Sequence, residues 1–188
     1  MSIIVKFFYS NKMASHDLDF KVLLLGVPST GKEEFVNRYI SKFFIEDISS
    51  TVGVDFYTRI QEFRNKKIQL QIWNFGGQER FKFLLEKYCR GADGAIIMYD
   101  ITNLESLDQL PDWTQIIREH AGTIPILLVG NKFETGNPRT ISKEEAILTA
   151  KRYNLSGCVE ISSRTGQNVE KTFEILTKIL VESYESKI

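Results

Sequence analysis

A glycine-rich turn between a short apolar run and an amphipathic segment constrains the fold of this chain more than any other feature. The turn reads Gly26-Val-Pro-Ser-Thr-Gly31-Lys32. It follows the apolar residues 20–25, which are typical of a buried strand, and it precedes apolar residues at three- and four-residue spacing, which predict a helix. Such a turn gathers backbone N–H groups around an anion, and the helix N-terminus adds partial positive charge. The pattern therefore predicts a phosphate-binding loop between a strand and a helix.

Short apolar runs and amphipathic segments alternate along the rest of the chain. A second and a third strand are predicted around Val54 and Ile68, joined as a hairpin by the polar residues 64–67. Three further apolar runs follow, at residues 95–99, 125–129 and 158–161. This order predicts an α/β fold with a six-stranded, mostly parallel sheet, one antiparallel edge strand, and about five helices on both faces. Ligands of such sheets bind at the carboxyl ends of the strands.

Helix ends and helix faces are also readable. The pairs Thr102 with Glu105 and Ser142 with Glu145 have the spacing of a capping box, which predicts two helix starts. The apolar face of the helix after the phosphate loop is predicted to carry Phe35, Val36, Tyr39, Ile40 and Phe43. The last helix is predicted to follow Gln167, with one face formed by Val169, Phe173, Leu176 and Leu180.

Length and composition narrow the functional classes. The 188 residues fit one globular domain, which we assign to residues 16–184, between an N-terminal tail at 1–15 and a C-terminal tail at 185–188; Met13 is an alternative start. Lys and Arg number 24, as do Asp and Glu, so no basic excess favours nucleic acid as a partner. The separated Cys89 and Cys158 fit a reducing compartment, and a cytoplasmic monomer is expected. Neither end carries a myristoylation or prenylation motif, which predicts no direct lipid anchor.

Four separated motifs follow the phosphate loop. They are Thr51-Val-Gly-Val-Asp-Phe56, Trp73-Asn-Phe-Gly-Gly77-Gln78-Glu79-Arg80-Phe81, Asn131-Lys132-Phe-Glu134 and Ser162-Ser163-Arg164. In this order the chain resembles the Ras-like small GTPases, the Rab branch most closely, over about residues 20–182. The resemblance implies a P-loop NTPase fold and a molecular switch that binds GDP and GTP and slowly hydrolyses GTP. Its effectors, exchange factors or activating proteins would bind switch I, residues 51–56, and switch II, residues 73–81.

The resemblance also implies roles for individual residues. Gln78 would orient the attacking water, Lys32 would reach the terminal phosphates, and Thr51 would bring its hydroxyl to Mg²⁺ and its amide to the γ-phosphate. Phe44 would lie against the base, or alternatively belong to the core beside Phe43. The full set of implied nucleotide contacts is Gly26, Ser29, Thr30, Gly31, Lys32, Glu33, Glu34, Phe44, Thr51, Gly77, Asn131, Lys132, Glu134, Ser162, Ser163 and Arg164.

Three departures from the family pattern concern the metal and the base. Glu33 stands where a Ser or Thr hydroxyl ligates Mg²⁺, and Asn74 stands where an aspartate holds it, so the implied metal residues are Thr51, Glu33 and Asn74. Together the two changes move one carboxylate from one side of the metal site to the other, which predicts weakened or relocated Mg²⁺ binding. The alternative is that the site has decayed and the protein is a pseudo-GTPase, a constitutive protein-interaction module. Glu134 replaces the aspartate that accepts bonds from guanine, and it keeps the carboxylate.

Overall fold

A mixed β-sheet runs through the molecule. The computed structural model describes residues 5–8, 15–44, 51–77, 82–134 and 138–187. The strands are β1 (Val5–Phe8), β2 (Leu18–Leu25), β3 (Val54–Phe63), β4 (Lys66–Phe75), β5 (Gly94–Asp100), β6 (Ile126–Asn131) and β7 (Gly157–Glu160). Across the sheet their order is β1-β3-β4-β2-β5-β6-β7. Among the strand pairs of the described residues, only β3 and β4 are antiparallel. The α/β class and the six predicted strands are confirmed.

Strand β1 is an addition to the predicted sheet. It lies within residues 1–15, which sequence analysis assigns to a tail, and it pairs in parallel with β3. The hairpin strand β3 is therefore the second strand from the edge, and its predicted edge position is wrong. A four-residue strand carries too little periodicity to be recognised alone, because its identity depends on the partner strand that it meets.

Five helices are present in the described ranges, as predicted. They are α1 (Lys32–Ser41), α2 (Lys82–Tyr88), α3 (Leu110–His120), α4 (Lys143–Arg152) and α5 (Val169–Glu185). The capping box of Ser142 and Glu145 begins α4 as predicted. The box predicted at Thr102 is wrong: the Asn103 side chain caps a 3-10 turn at Leu104–Leu107, and α3 begins later. None of these helices is long and apolar enough to cross a membrane.

The helices cover the two faces of the sheet with two apolar cores. Leu23 and Leu25 of β2 face one core, which includes residues of α2, α3 and α4. Val22 and Leu24 face the other, which includes residues of α1 and α5. Successive residues of a strand point to opposite faces, so a continuous apolar strand such as β2 feeds both cores.

Helices α1 and α5 pack through aromatic rings. Phe35 and Tyr39 of α1 stack on Phe173 of α5, with ring centroids 4.9 and 3.6 Å apart. The predicted apolar face of α5 is buried along its length. The prediction that Phe43 continues the face of α1 is wrong: α1 ends at Ser41, Lys42 adopts a left-handed conformation, and Phe43 is 73% exposed. The turn rotates the chain away from the helix axis and breaks the periodicity.

Candidate functional site

Four loops meet where parallel strands of the sheet end. The phosphate loop follows β2, the Asn131 loop follows β6, the Ser162 loop follows β7, and residues 76–77 follow β4. Strands β4, β2, β5, β6 and β7 are parallel to their neighbours in this part of the sheet, so their carboxyl ends share one edge. This is the edge at which ligands of open α/β sheets bind.

Lys32 is buried beneath the phosphate loop. The residue is 1% exposed. Its Nζ donates to the carbonyl oxygens of Gly26 at 2.8 Å and Val27 at 3.2 Å. Burial lowers the pKa of the Lys32 ammonium, against the opposing charges of Glu33 and Glu34. An ammonium has three protons to donate, so the two loop contacts leave one for a ligand oxygen.

Two glycines allow the loops to approach one another closely. Gly31 has φ 81°, and a Cβ there would lie 2.3 Å from Asn131 Nδ2. A Cβ on Gly77 would lie 2.3 Å from the carbonyl oxygen of Gly26, so the end of β4 is in contact with the phosphate loop. A side chain at either position would push the loops apart.

Asn131 joins three loops at the base side of the site. Its Nδ2 donates to the carbonyl oxygen of Thr30 at 2.9 Å, and its Oδ1 accepts from the Ser163 amide at 3.0 Å and the Ser163 hydroxyl at 3.2 Å. The Ser162 hydroxyl accepts from the Thr165 amide at 2.9 Å. Ser162 and Ser163 are buried, whereas Arg164 is exposed. The second Nδ2 proton of Asn131 is the one available to a base.

Lys132 and Glu134, which follow Asn131, bring one positive and one negative group to the site. Lys132 has φ 71°, and its Nζ lies 2.6 Å from Asp100 Oδ2. Burial alone would raise the pKa of Asp100, but hydrogen bonds from Lys132 and Thr102 outweigh it and lower the pKa. Glu134 Oε2 is buried and accepts no hydrogen bond from the described residues. Because an unpaired buried acceptor is costly, this oxygen suits a ligand that brings N–H donors.

Thr51 is bound to three side chains on the phosphate side. Its amide donates to Glu33 Oε1 at 3.1 Å, its hydroxyl donates to Asp55 Oδ2 at 2.9 Å, and the same hydroxyl accepts from Asn74 Nδ2 at 2.9 Å. The structure thus brings together Thr51, Glu33 and Asn74, the residues that the sequence nominates for metal binding. Burial alone would raise the pKa of Glu33, but the Lys32 charge and the Thr51 hydrogen bond hold it below its ordinary value.

The donor set at Thr51 fits a hard cation such as Mg²⁺. Asn74 Oδ1 is buried and lacks a hydrogen-bond partner in the described ranges. With the Glu33 carboxylate and the Thr51 hydroxyl beside it, the site presents oxygen atoms of the kind that Mg²⁺ binds directly or through its waters. An acceptor that the described residues leave unpaired is the observation that favours a bound cation or its water here.

Two carboxylates at the site were missed by sequence reasoning. Asp55 accepts the Thr51 hydroxyl, and Asp100 anchors Lys132. Their signals were present, since Asp55 lies inside the first of the four motifs and Asp100 ends a buried strand. Neither signal names the partner, because each contact joins residues whose distance depends on the fold.

The structure says less about the other residues that the sequence nominates for the site. Phe44 and Glu34 are half-buried, and both alternatives for Phe44 stay predictions. Ser29 adopts a left-handed backbone conformation with φ 73° in the phosphate loop. Gln78, nominated to orient water, lies outside the described residues. Its role stays a prediction.

Comparison with known proteins identifies relatives of the whole chain. A family model described as the Ras family matches residues 21–182. The GTP-binding protein ypt3 of Schizosaccharomyces pombe is 42% identical over 166 residues, which cover 87% of this chain and 77% of that protein. The GTP-binding protein ypt4 of the same organism is 37% identical, and the match covers 91% of this chain and 75% of that protein. The Ras-related protein Rab-19 of Xenopus laevis is 36% identical, and the match covers 88% of this chain and 78% of that protein.

Proposed function

This chain belongs to the Ras family of small GTPases and is Rab-like, and from that premise we propose how its residues bind the nucleotide. It is a guanine-nucleotide switch, and its family hydrolyses GTP. Two relatives that are named GTP-binding proteins support this function over a constitutive interaction module. The roles proposed below assign each part of GDP or GTP to residues at the carboxyl edge of the sheet.

The observation that carries the proposal is the buried, unpaired oxygen of Glu134. Guanine presents two donors on one edge, the N1–H and the 2-amino group, and adenine has neither. Charge-assisted hydrogen bonds contribute about 1.5–3 kcal/mol each, so a free carboxylate oxygen here favours guanine over adenine. Asn131 and the Ser163 amide lie on the same loops and would complete the base site.

The phosphates would lie on the amides of the phosphate loop and the N-terminus of α1. Lys32 keeps one ammonium proton for a phosphate oxygen, because two protons already bond to the loop carbonyls. Gly77 lies against the loop at the end of β4, where its amide would reach the last phosphate. Gln78 would orient the attacking water.

Magnesium would be held by Thr51, Glu33 and Asn74. When bound, Mg²⁺ supplies positive charge that offsets the charge of the phosphates. The carboxylate of Glu33 replaces a neutral hydroxyl and adds negative charge near the phosphates, which disfavours the nucleotide unless a cation is present. The amide of Asn74 supplies one oxygen, which the described residues leave unpaired.

Proteins of this family act through regulators and effectors, and we place their docking on switch I and switch II. Trp73 of β4 packs against Phe56 of β3 and Tyr88 of α2, which gives the surface between the switches an aromatic base. We propose that the chain acts as a monomer in the cytoplasm, without nucleic acid. Cys89 and Cys158 are free thiols, as a reducing compartment requires.

Native nucleotide content tests the proposal. The protein is purified without added nucleotide and denatured, and the supernatant is separated by ion exchange against GDP, GTP, ADP and ATP standards. We expect GDP or GTP in amounts comparable to the protein. Adenine nucleotide in that amount, or an empty protein that also fails to bind added GDP in calorimetry, would contradict the assignment.

A further inference from the structure

Thr51 of switch I is held by hydrogen bonds to three side chains of the protein. The residue is 3% exposed, and its amide and hydroxyl are satisfied by Glu33, Asp55 and Asn74. The family resemblance assigns that amide to the third phosphate and that hydroxyl to the metal. Here a side chain at the start of α1 accepts the amide proton that GTP is expected to accept.

We propose that Glu33 is a built-in acceptor for the Thr51 amide, which holds switch I against α1 with or without the third phosphate. The contact joins residues 18 positions apart, from the first turn of α1 to the segment that precedes β3. A glutamate is long enough to make it, whereas the Ser or Thr of the family pattern has no carboxylate. Glu33 is therefore a positioning residue for switch I.

The charge around Glu33 strengthens this contact. Lys32 precedes Glu33 in the chain and is buried, so its positive charge lies close to the carboxylate that accepts the Thr51 amide. Hydrogen bonds from an N–H to an ionised carboxylate are about twice as strong as neutral ones. The contact is also partly buried, where water competes less for the same atoms.

Asn74, the second departure from the family pattern, also helps to hold Thr51. Its Nδ2 donates to the Thr51 hydroxyl, which leaves that hydroxyl to donate to Asp55. An ionised aspartate at position 74 has no proton to donate, and it would gather a third carboxylate around Thr51 beside those of Glu33 and Asp55. The two departures thus explain each other as one docking site for Thr51.

A consequence for signalling follows from population arithmetic. If switch I is docked in about 99% of GDP-bound molecules, the third phosphate can raise that population by only about 1%. A protein that binds residues 51–56 would then bind the GDP and GTP forms almost equally. Sensitivity to the third phosphate would pass to the end of β4, where Gly77 touches the phosphate loop.

Amide hydrogen exchange at Thr51 measures this docking directly. The consequence for the two nucleotide forms rests on the proposed function, so the full-length protein is examined unloaded, with GDP, and with a non-hydrolysable GTP analogue, each with Mg²⁺. We expect the protection factor of the Thr51 amide to differ less than about tenfold between the GDP and analogue forms, because the same acceptor is present in both. A tenfold or larger rise with the analogue would overturn the proposal.

Variants assign the protection to Glu33. Glu33→Thr removes the acceptor and should lower Thr51 protection in the GDP form at least about tenfold. Glu33→Gln keeps a neutral acceptor oxygen, should lose severalfold less, and provides a reading if the threonine variant fails to fold. Glu144→Thr is the matched control, since Lys143 and Glu144 begin α4 as Lys32 and Glu33 begin α1, and Glu144 is exposed. Protection in Glu33→Thr equal to that of the wild type would refute the role of Glu33.

The unloaded protein separates this inference from the proposed function. If guanine nucleotides fail to load but Thr51 protection still depends on Glu33, the built-in acceptor stands and the proposed nucleotide site falls. If the nucleotides load and Thr51 is protected only in the analogue form, the nucleotide site stands and the built-in acceptor falls.

Discussion

The base side and the switch side of the site differ in which groups they leave for a ligand. On the base side, Asn131 braces the loops from within while Glu134 keeps a buried oxygen unpaired. On the switch side, Glu33, Asp55 and Asn74 satisfy Thr51 with protein groups. The base side therefore leaves its carboxylate oxygen to a ligand, whereas on the switch side Thr51 is already satisfied and, among the described residues, Asn74 Oδ1 is the buried acceptor left unpaired.

This difference shows that departures from the family pattern have different consequences on the base side and on the switch side of the site. Glu134 changes the length of a side chain and keeps its chemistry, so it preserves a site for guanine. Glu33 and Asn74 change the chemistry, because a hydroxyl becomes a carboxylate and a carboxylate becomes an amide. Such changes add contacts within the protein at the position where the family pattern expects a metal and a phosphate.

The largest effect is expected where the two sides share the phosphate loop, at Lys32. Lys32→Ala should weaken GDP binding at least about 100-fold, because a charge-assisted contact to the phosphates and the brace of the loop are both lost. Lys143→Ala is the control, since Lys143 also opens a helix but is exposed. Calorimetric titration with GDP measures both; similar affinities for the two variants would contradict the phosphate role.

The unloaded Lys32→Ala protein adds a second reading. Two loop carbonyls lose their donor, which should lower the free energy of unfolding by about 1 kcal/mol. Burial of the ammonium is itself unfavourable, as its lowered pKa indicates, and this limits the loss.

The next effect concerns the brace of the base side. Asn131→Ala leaves the Thr30 carbonyl and the Ser163 amide without their partner, and buried groups left unpaired cost about 1–3 kcal/mol. We expect the unloaded protein to lose about 2 kcal/mol of stability in urea unfolding. Ser163→Ala removes only the hydroxyl contact and should lose less than half as much. Equal losses would mean that Asn131 braces nothing beyond that hydroxyl.

A smaller effect is expected at Glu134, and it distinguishes binding from stability. Glu134→Ala should reduce the preference for GDP over ADP at least about tenfold, which corresponds to about 1.4 kcal/mol. The unloaded protein should lose no stability, because an unpaired buried acceptor is removed. Glu86→Ala, at an exposed position of α2, is the control. An unchanged preference would remove the carboxylate from guanine recognition.

The smallest effect is a coupling on the switch side. A double-mutant cycle of Glu33→Thr and Asn74→Asp compares GDP affinity with and without Mg²⁺, and we expect a coupling energy of about 1 kcal/mol, because both residues bind Thr51. The double variant should depend on Mg²⁺ more strongly than the wild type. Additive single changes would show that the two departures arose without acting on each other.

Local patterns in the sequence were sufficient for much of the architecture. The strand, loop and helix around residues 20–41 follow from apolar spacing and two glycines, and the start of α4 follows from Ser142 and Glu145. These features are signalled by residues close together in the sequence, so a local pattern is enough to predict them. The residue types in the four motifs were likewise enough to nominate the site.

Only the tertiary structure decided which of these residues meet. Asn131 reaches Thr30 across 101 positions of the chain, Glu33 reaches Thr51 across 18, and β1 is a strand because β3 lies beside it. Sequence analysis placed Glu33 in a metal site but could not see its bond to the Thr51 amide, since a carboxylate accepts equally from a backbone donor or a metal's water. Distance and direction choose between these partners, and both are set by how the helices and the sheet pack.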